Sequence, residues 1–253
     1  MPFSARQGFI GGADIVIDSD AQAWADAVAV ADGQALEDSA IQAVSKFVTG
    51  TKADGTWDNL DVIYMLSIAR TLNGVAIPLK GNVTPSLTNF VAGDYDRVTG
   101  LKGNTVSNTR INTNYPINTW SSNDLFVGAY QTIKRLDRSV TNEANEAHFG
   151  LLESGTTNNS FYLLSNEDPQ GSDITRYFSQ DAVIHNVANS GTLVPYDVIG
   201  LHSVSSNTST GYTTAAGSFS DTVTQTVNAI TTSDNLHVFS RRFTGEIFSG
   251  ALA

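Results

Sequence analysis

The chain contains no cysteine. Disulfides and thiolate metal sites are therefore excluded, and stability has to come from packing and association. Charge is sparse as well: only 15% of residues are Asp, Glu, Lys or Arg, so the polar surface falls to Thr, Ser, Asn and Gly. That mixture suits strands and turns better than long solvated helices. Cations are scarcer than anions, 14 against 25, which leaves a net charge of -11. A phosphate backbone or anionic lipid would be repelled, which argues against nucleic acid and membrane as partners. No apolar run approaches the roughly 18 residues of a membrane span, and the opening MPFSARQGFIGG lacks a signal-peptide core.

What is present changes period along the chain. From Ser19 to Gly74 apolar residues recur at three- and four-residue spacing: Trp24, Val28 and Ala31, then Leu36, Ala40, Ile41, Val44, Phe47 and Val48. Two helices are expected, divided at Asp32-Gly33, with Asp20 capping the first and Gly50 stopping the second. A third is expected from Trp57 to about Leu72, on the stripe Trp57, Leu60, Ile63, Tyr64 and Ile68. After Pro78 the period becomes two. Expected strands are Arg110 to Tyr115, Leu125 to Ile133, Ala147 to Leu152, Ser160 to Ser165, Thr175 to Phe178, Ala182 to Val187, Tyr196 to Ser203 and Asn235 to Arg241. Ser205 to Gly217 and Ala229 to Asp234 read as exposed loops. The fold expected is mainly β: an antiparallel β-sandwich over residues 81–253 behind an N-terminal arm and short α-helical lead over residues 1–80.

Linear motifs for chemistry are missing. The four histidines, His148, His185, His202 and His237, lie far apart, and neither an H-E-x-x-H nor a G-x-S-x-G nor a phosphate-binding loop occurs. Gly100-Leu101-Lys102-Gly103 is read as a tight turn. Glycoside hydrolysis needs two carboxylates aimed at one bond; Glu143 and Glu146 read instead as part of a solvated turn. On this ground the chain is expected not to be an enzyme, although an active site assembled from distant residues would leave no linear trace.

Two weaker constellations concern binding. Asn166, Asp168 and Asp173 cluster in the NEDPQGSD stretch, where hard oxygen ligands can hold calcium, the plainer reading being an acidic turn. Tyr115, Trp120, Tyr162, Tyr177 and Tyr212 stand near Asn, Ser and Asp, the neighbourhood in which aromatic rings stack on sugars while amides read hydroxyls. Core or subunit packing is the competing role for each ring. No other cofactor is expected.

Three segments, in order, resemble a family of bacteriophage and cyanophage virion proteins with a concanavalin A-like, laminin G-like jelly-roll sandwich. They are the helical stretch Ala27 to Gly81 with its K-A-D-G-x-W turn, the run Thr88 to Asn104 with N-F-x-x-x-D-Y-x-R-x-x-G-L-x-G, and the strand Asn235 to Arg241. The resemblance implies a place in a virus particle assembled in the host cytoplasm and released by lysis, which also suits a chain with no secretion signal. It supplies no catalytic residues. Family members continue past the late strand, whereas this sequence stops at Ser249-Gly-Ala-Leu-Ala253. It is either truncated or completes that sheet edge differently, a neighbouring subunit being one source of the missing strand.

The leading expectation is thus a non-catalytic virion structural protein, decorating the capsid or associated with the tail or fibre, with other virion proteins and copies of itself as partners. The alternative is a lectin-like receptor-binding protein that recognises host surface glycan. A polysaccharide-degrading enzyme ranks third.

Overall fold

The computed structural model describes residues 16–104, 109–116, 125–133, 147–152, 160–167, 173–179, 184–188, 197–205, 208–213, 217–222, 235–239 and 251–252. Within it the chain is mainly β, with antiparallel sheets and a few helices.

Helix α1 (Ser19–Asp32) begins at Asp18, whose carboxylate accepts from the Asp20 backbone N–H at 2.9 Å. The cap is therefore Asp18 and not Asp20, which sits in the first turn. Gly33 ends the helix in the left-handed region (φ 69°), as its position after Asp32 suggests. Ala21, Trp24, Ala25 and Val28 form the buried face. Helix α2 (Asp38–Ala53) runs through Gly50 and buries Val44, Ser45 and Val48. Its end is tied to the start of α1, because Lys52 Nζ donates to both Asp18 oxygens at 2.9 Å and pairs with Asp20 at 2.6 Å.

The third expected helix does not form. Trp57–Asn59 make one 3-10 turn, Ile63–Tyr64 form β1, and only Leu72–Val75 are helical, as α3. Tertiary contacts override the periodicity here. β1 pairs with β2 (Pro78–Lys80), and Tyr64 Oη donates to the Thr113 carbonyl at 3.0 Å. Ile68 adopts a left-handed φ of 76° while its N–H donates to the Arg97 carbonyl and its carbonyl accepts from Arg97 Nε. That conformation is costly for a β-branched residue, so surrounding contacts must hold it.

The remaining strands are β3 (Ser86–Thr88), β4 (Tyr95–Asp96), β5 (Gly100–Lys102), β6 (Arg110–Pro116), β7 (Leu125–Ile133), β8 (Ala147–Leu152), β9 (Ser160–Glu167), β10 (Asp173–Ser179), β11 (Ile184–Ala188), β12 (Asp197–Ser205), β13 (Thr208–Thr213), β14 (Gly217–Thr222), β15 (Asn235–Val238) and β16 (Ala251–Leu252). They form two seven-stranded antiparallel sheets, in the orders β11-β10-β9-β8-β15-β6-β3 and β14-β13-β12-β7-β16-β5-β4.

Three expectations are corrected by these strands. Residues 205–217 are not one exposed loop, because β13 lies inside them and pairs on both sides. The Gly100 to Gly103 run is not merely a turn, since Gly100–Lys102 pair with both β4 and β16. The idea that another subunit supplies a terminal strand also fails: Ala251–Leu252 fill the gap between β5 and β7 from the same chain. The Ala229 to Asp234 stretch lies outside the described residues.

One apolar cluster joins Trp24, Val28, Val44, Val48 and Trp57 to Leu101, Ile111 and Phe239. Helical and sheet residues thus share a core, with Leu101 on one sheet and Ile111 on the other. Phe90 sets its ring edge-on against Phe239, 5.7 Å between centroids, the arrangement favoured by opposed ring quadrupoles.

Candidate functional site

Where the helical lead meets the sheets, segments 70–73 and 92–97 face each other across a groove of about 530 Å³. Its lining includes Arg70, Thr71, Asn73, Tyr95, Asp96 and Arg97. The volume is in the range of small-ligand sites, roughly 300–1,000 Å³.

Both walls are fixed from behind. Asp32, the last residue of α1, accepts from the backbone N–H of Arg70 at 2.6 Å and, through its other oxygen, from the N–H groups of Thr71 and Gly74 at 3.0 Å. That oxygen also accepts the Thr71 hydroxyl at 2.6 Å, and the Thr71 hydroxyl in turn caps α3 by accepting from Asn73 N–H. On the opposite wall, Asp94 is buried and accepts from Val91 N–H at 3.0 Å. Tyr95 Oη donates to the Ala69 carbonyl at 2.6 Å, which links the two walls.

The charges are shared out locally. Arg97 makes a two-pronged contact with Glu37, at 3.0 and 2.6 Å, and Arg70 reaches the same carboxylate at 2.9 Å. The Arg97 hydrogen bonds, followed by a bond from its own backbone N–H and then by the charges of Arg97 and Arg70, hold Glu37 down at about 2. Arg97 is raised in return, chiefly by the Glu37 hydrogen bond. Asp96 is lowered because one of its oxygens accepts from Thr99 N–H and Val98 N–H, both at 2.8 Å, and from the Thr99 hydroxyl. Burial pushes Tyr95 well above the usual phenol range, so its ring enters the groove neutral. With Arg70 and Arg97 offset by Glu37 and Asp96, the groove is polar without being a strong anion trap. It offers an amide, a carboxylate oxygen, guanidinium edges and an aromatic face, the set that reads a hydroxyl-rich neutral ligand.

The residues anticipated from sequence lie elsewhere. Tyr115 is the penultimate residue of β6, half-buried. Tyr162 on β9 is in register with Phe178 of β10, the residue after Tyr177. Tyr212 belongs to the other sheet, in register with Gly200 and Ser218. Trp120 and Asp168 lie outside the described residues. Asp173 is in register with Glu167, the residue after Asn166. Among the described residues no group of three His, Asp or Glu is close enough to hold a metal ion.

The groove residues were missed because none of their signals is local. Asp94, Tyr95 and Arg97 did stand in the D-Y-x-R stretch, and the structure shows that stretch fastening the lead to the sheets. Arg70 falls within the third helix expected from sequence, which does not form.

No protein family and no curated protein matches the sequence. Among solved structures, the enzymatically active domain of tailspike protein 2 from bacteriophage CBA120 is similar at 13% identity and a TM-score of 0.47, over 67% of this chain and 26% of that one. The full-length tailspike protein 2 from an Escherichia coli bacteriophage gives 12% identity and 0.46, over 67% and 24%. Domain 4 of an extracellular arabinanase from Geobacillus stearothermophilus, in complex with arabinotriose, gives 12% and 0.40, over 68% and 73%. The chain thus spans about a quarter of the tailspikes it resembles. At these scores the likeness assigns this chain no reaction. It does correct the expectation that the chain is not an enzyme: similar structures come from an enzymatically active tailspike domain and from an arabinanase, so a missing linear motif does not make this chain non-catalytic.

Proposed function

We propose that this chain is a glycan-binding component of a bacteriophage tail and that the groove between Arg70–Asn73 and Ala92–Arg97 takes a saccharide unit. The observation that carries the reading is the groove's set of polar groups: the Asn73 amide and the Arg97 guanidinium as donors and the Asp96 carboxylate as acceptor, beside the Tyr95 ring on walls braced by Asp32 and Asp94. Such preorganisation lowers the entropic cost of binding a small polar ligand. The resemblance of Thr88 to Asn104 to virion proteins supports the particle setting. We also read the two sheets as layers of a sandwich, because Leu101 of one and Ile111 of the other meet in one apolar cluster. In this reading residues 1–80 form a lead seated against a β unit spanning 81–253.

A glycan array carrying host surface polysaccharides and arabinotriose tests the proposal. Wild type is expected to bind at least one glycan, and Asn73→Ala to lose roughly five- to tenfold in affinity, as expected for one lost hydrogen bond. Equal binding by wild type and Asn73→Ala would refute the assignment to this groove. Reducing-end release in the same incubations reports whether cleavage follows binding.

A further inference from the structure

Asn73-Gly74 is the one Asn-Gly step in the sequence. Such a step is chemically labile, because glycine has no Cβ to keep its nitrogen away from the preceding side-chain carbonyl and turns freely into the conformation that brings the two together. The Gly74 nitrogen attacks the Asn73 side-chain carbonyl carbon, and the amide group leaves as ammonia, taking up the proton that the nitrogen gives up. Water then opens the succinimide so formed to aspartate or isoaspartate. No other co-reactant is needed. Asn73 is exposed at the groove, whereas Gly74 is buried behind it.

Packing requires the glycine, since a Cβ at position 74 would fall 2.4 Å from an Asp32 oxygen. The same carboxylate opposes the reaction in two ways. The first is geometric. One Asp32 oxygen accepts from the N–H groups of Thr71 and Gly74, both at 3.0 Å, and Asn73 N–H donates to the Thr71 hydroxyl at 3.2 Å. Val75 and Ala76 N–H groups close the turn on the carbonyls of Thr71 and Leu72. The Gly74 nitrogen is thereby pinned in the first turn of α3 with its N–H aimed at Asp32, and it cannot reach the Asn73 side chain until that turn opens. The second is electrostatic. Attack needs the nitrogen to shed its proton, and a carboxylate 3.0 Å away disfavours the negative charge that builds there.

We infer that Asn73-Gly74 is a site of spontaneous deamidation that Asp32, 42 residues before Gly74, holds closed in the folded chain. Opening of the junction between α1 and α3 releases it. The product places a carboxylate or an isoaspartyl kink on the groove wall where an amide donor stood, an irreversible change at the lining of the groove. Nothing in this depends on a saccharide in the groove, since the change is covalent and is read without a ligand.

The test is peptide mapping by mass spectrometry of the full chain after incubation in mildly alkaline buffer, scoring aspartate and isoaspartate at position 73. Folded wild type is expected to keep Asn73, and the same chain unfolded in urea to lose it. Asp32→Ala is expected to speed the loss roughly tenfold or more under folding conditions, because local opening no longer breaks hydrogen bonds to a charged acceptor. Val48→Ala is the control. It thins the core on α2 and leaves Asp32 in place, so its Asn73 is expected to survive as in wild type. Equal acceleration by both variants would make the protection a property of global stability and overturn the inference. Loss from folded wild type at the unfolded rate overturns it as well, and so does Asp32→Ala behaving as wild type. Should circular dichroism show Asp32→Ala unfolded, hydrogen exchange of the Gly74 amide in wild type decides: slowing by roughly a hundredfold or more supports the hold of Asp32, and exchange at the open-chain rate overturns it.

Discussion

The carboxylate of Asp32, at the end of α1, sits 3.0 Å from the backbone nitrogen of Gly74, 42 residues further along the chain. A Cβ at position 74 would fall 2.4 Å from one Asp32 oxygen and 2.6 Å from the other. Glycine is needed there because a charged acceptor approaches the backbone end-on and has three further donors to hold. Gly74→Ala is expected to cost roughly 1–3 kcal/mol by overpacking. Asp32→Ala is expected to cost a similar amount, by leaving the Arg70, Thr71 and Gly74 N–H groups without their acceptor. Urea titration of both variants checks this, and the double variant should lose less than the sum.

Acid should loosen the same junction. Glu37 titrates at about 2 in the folded chain against 4.5 ordinarily. A lowered carboxylate stabilises the fold above its unfolded value and loses that contribution as pH falls from 4.5 toward 2. Asp18 and Asp96 are lowered too, by Lys52 and by the Thr99 and Val98 N–H groups, and act in the same direction. Thermal melts from pH 7 to pH 3 should fall on the acid side, and Glu37→Gln should flatten part of that fall. Because Glu37 is exposed, added salt should reduce the difference between the two chains.

The edge-on contact of Phe90 and Phe239 ties the segment before β4 to the end of β15. Phe239 is fully buried. Its replacement by Ala is expected to cost about 3–5 kcal/mol. A double-mutant cycle with Phe90→Leu and Phe239→Leu should return a coupling of about 0.5–1.5 kcal/mol. A coupling near zero would mean that the rings contribute only buried area.

The short strand β16 bridges β5 and β7. Removing the last three residues is expected to expose two unpaired strand edges in the middle of a sheet, which invites edge-to-edge association. Size-exclusion chromatography of the shortened chain should show aggregates where the full chain elutes as a discrete species.

Much of the β layout was legible because alternation and turn residues are local signals. The bounds read for Leu125–Ile133 and Ala147–Leu152 coincide with β7 and β8. The buried stripe of α1 was legible for the same reason, through Trp24 and Val28. The third helix was misread because Ile63, Tyr64 and Ile68 satisfy a helical period by coincidence. Pairing of β1 with β2 and the hold of Asp32 on Arg70 and Thr71 decide their conformation from far away in sequence.

The sequence by itself determined that the chain is cysteine-free and acidic, with a helical start and a strand-rich remainder, because composition and periodicity act over a few neighbouring residues. Tertiary structure alone decided that Arg70, Asn73, Tyr95 and Arg97 line one groove, with Asp32 bracing Arg70 and Thr71 from behind. The reason is physical: sheet register and long-range hydrogen bonds bring together residues whose separation along the chain carries no trace of their contact.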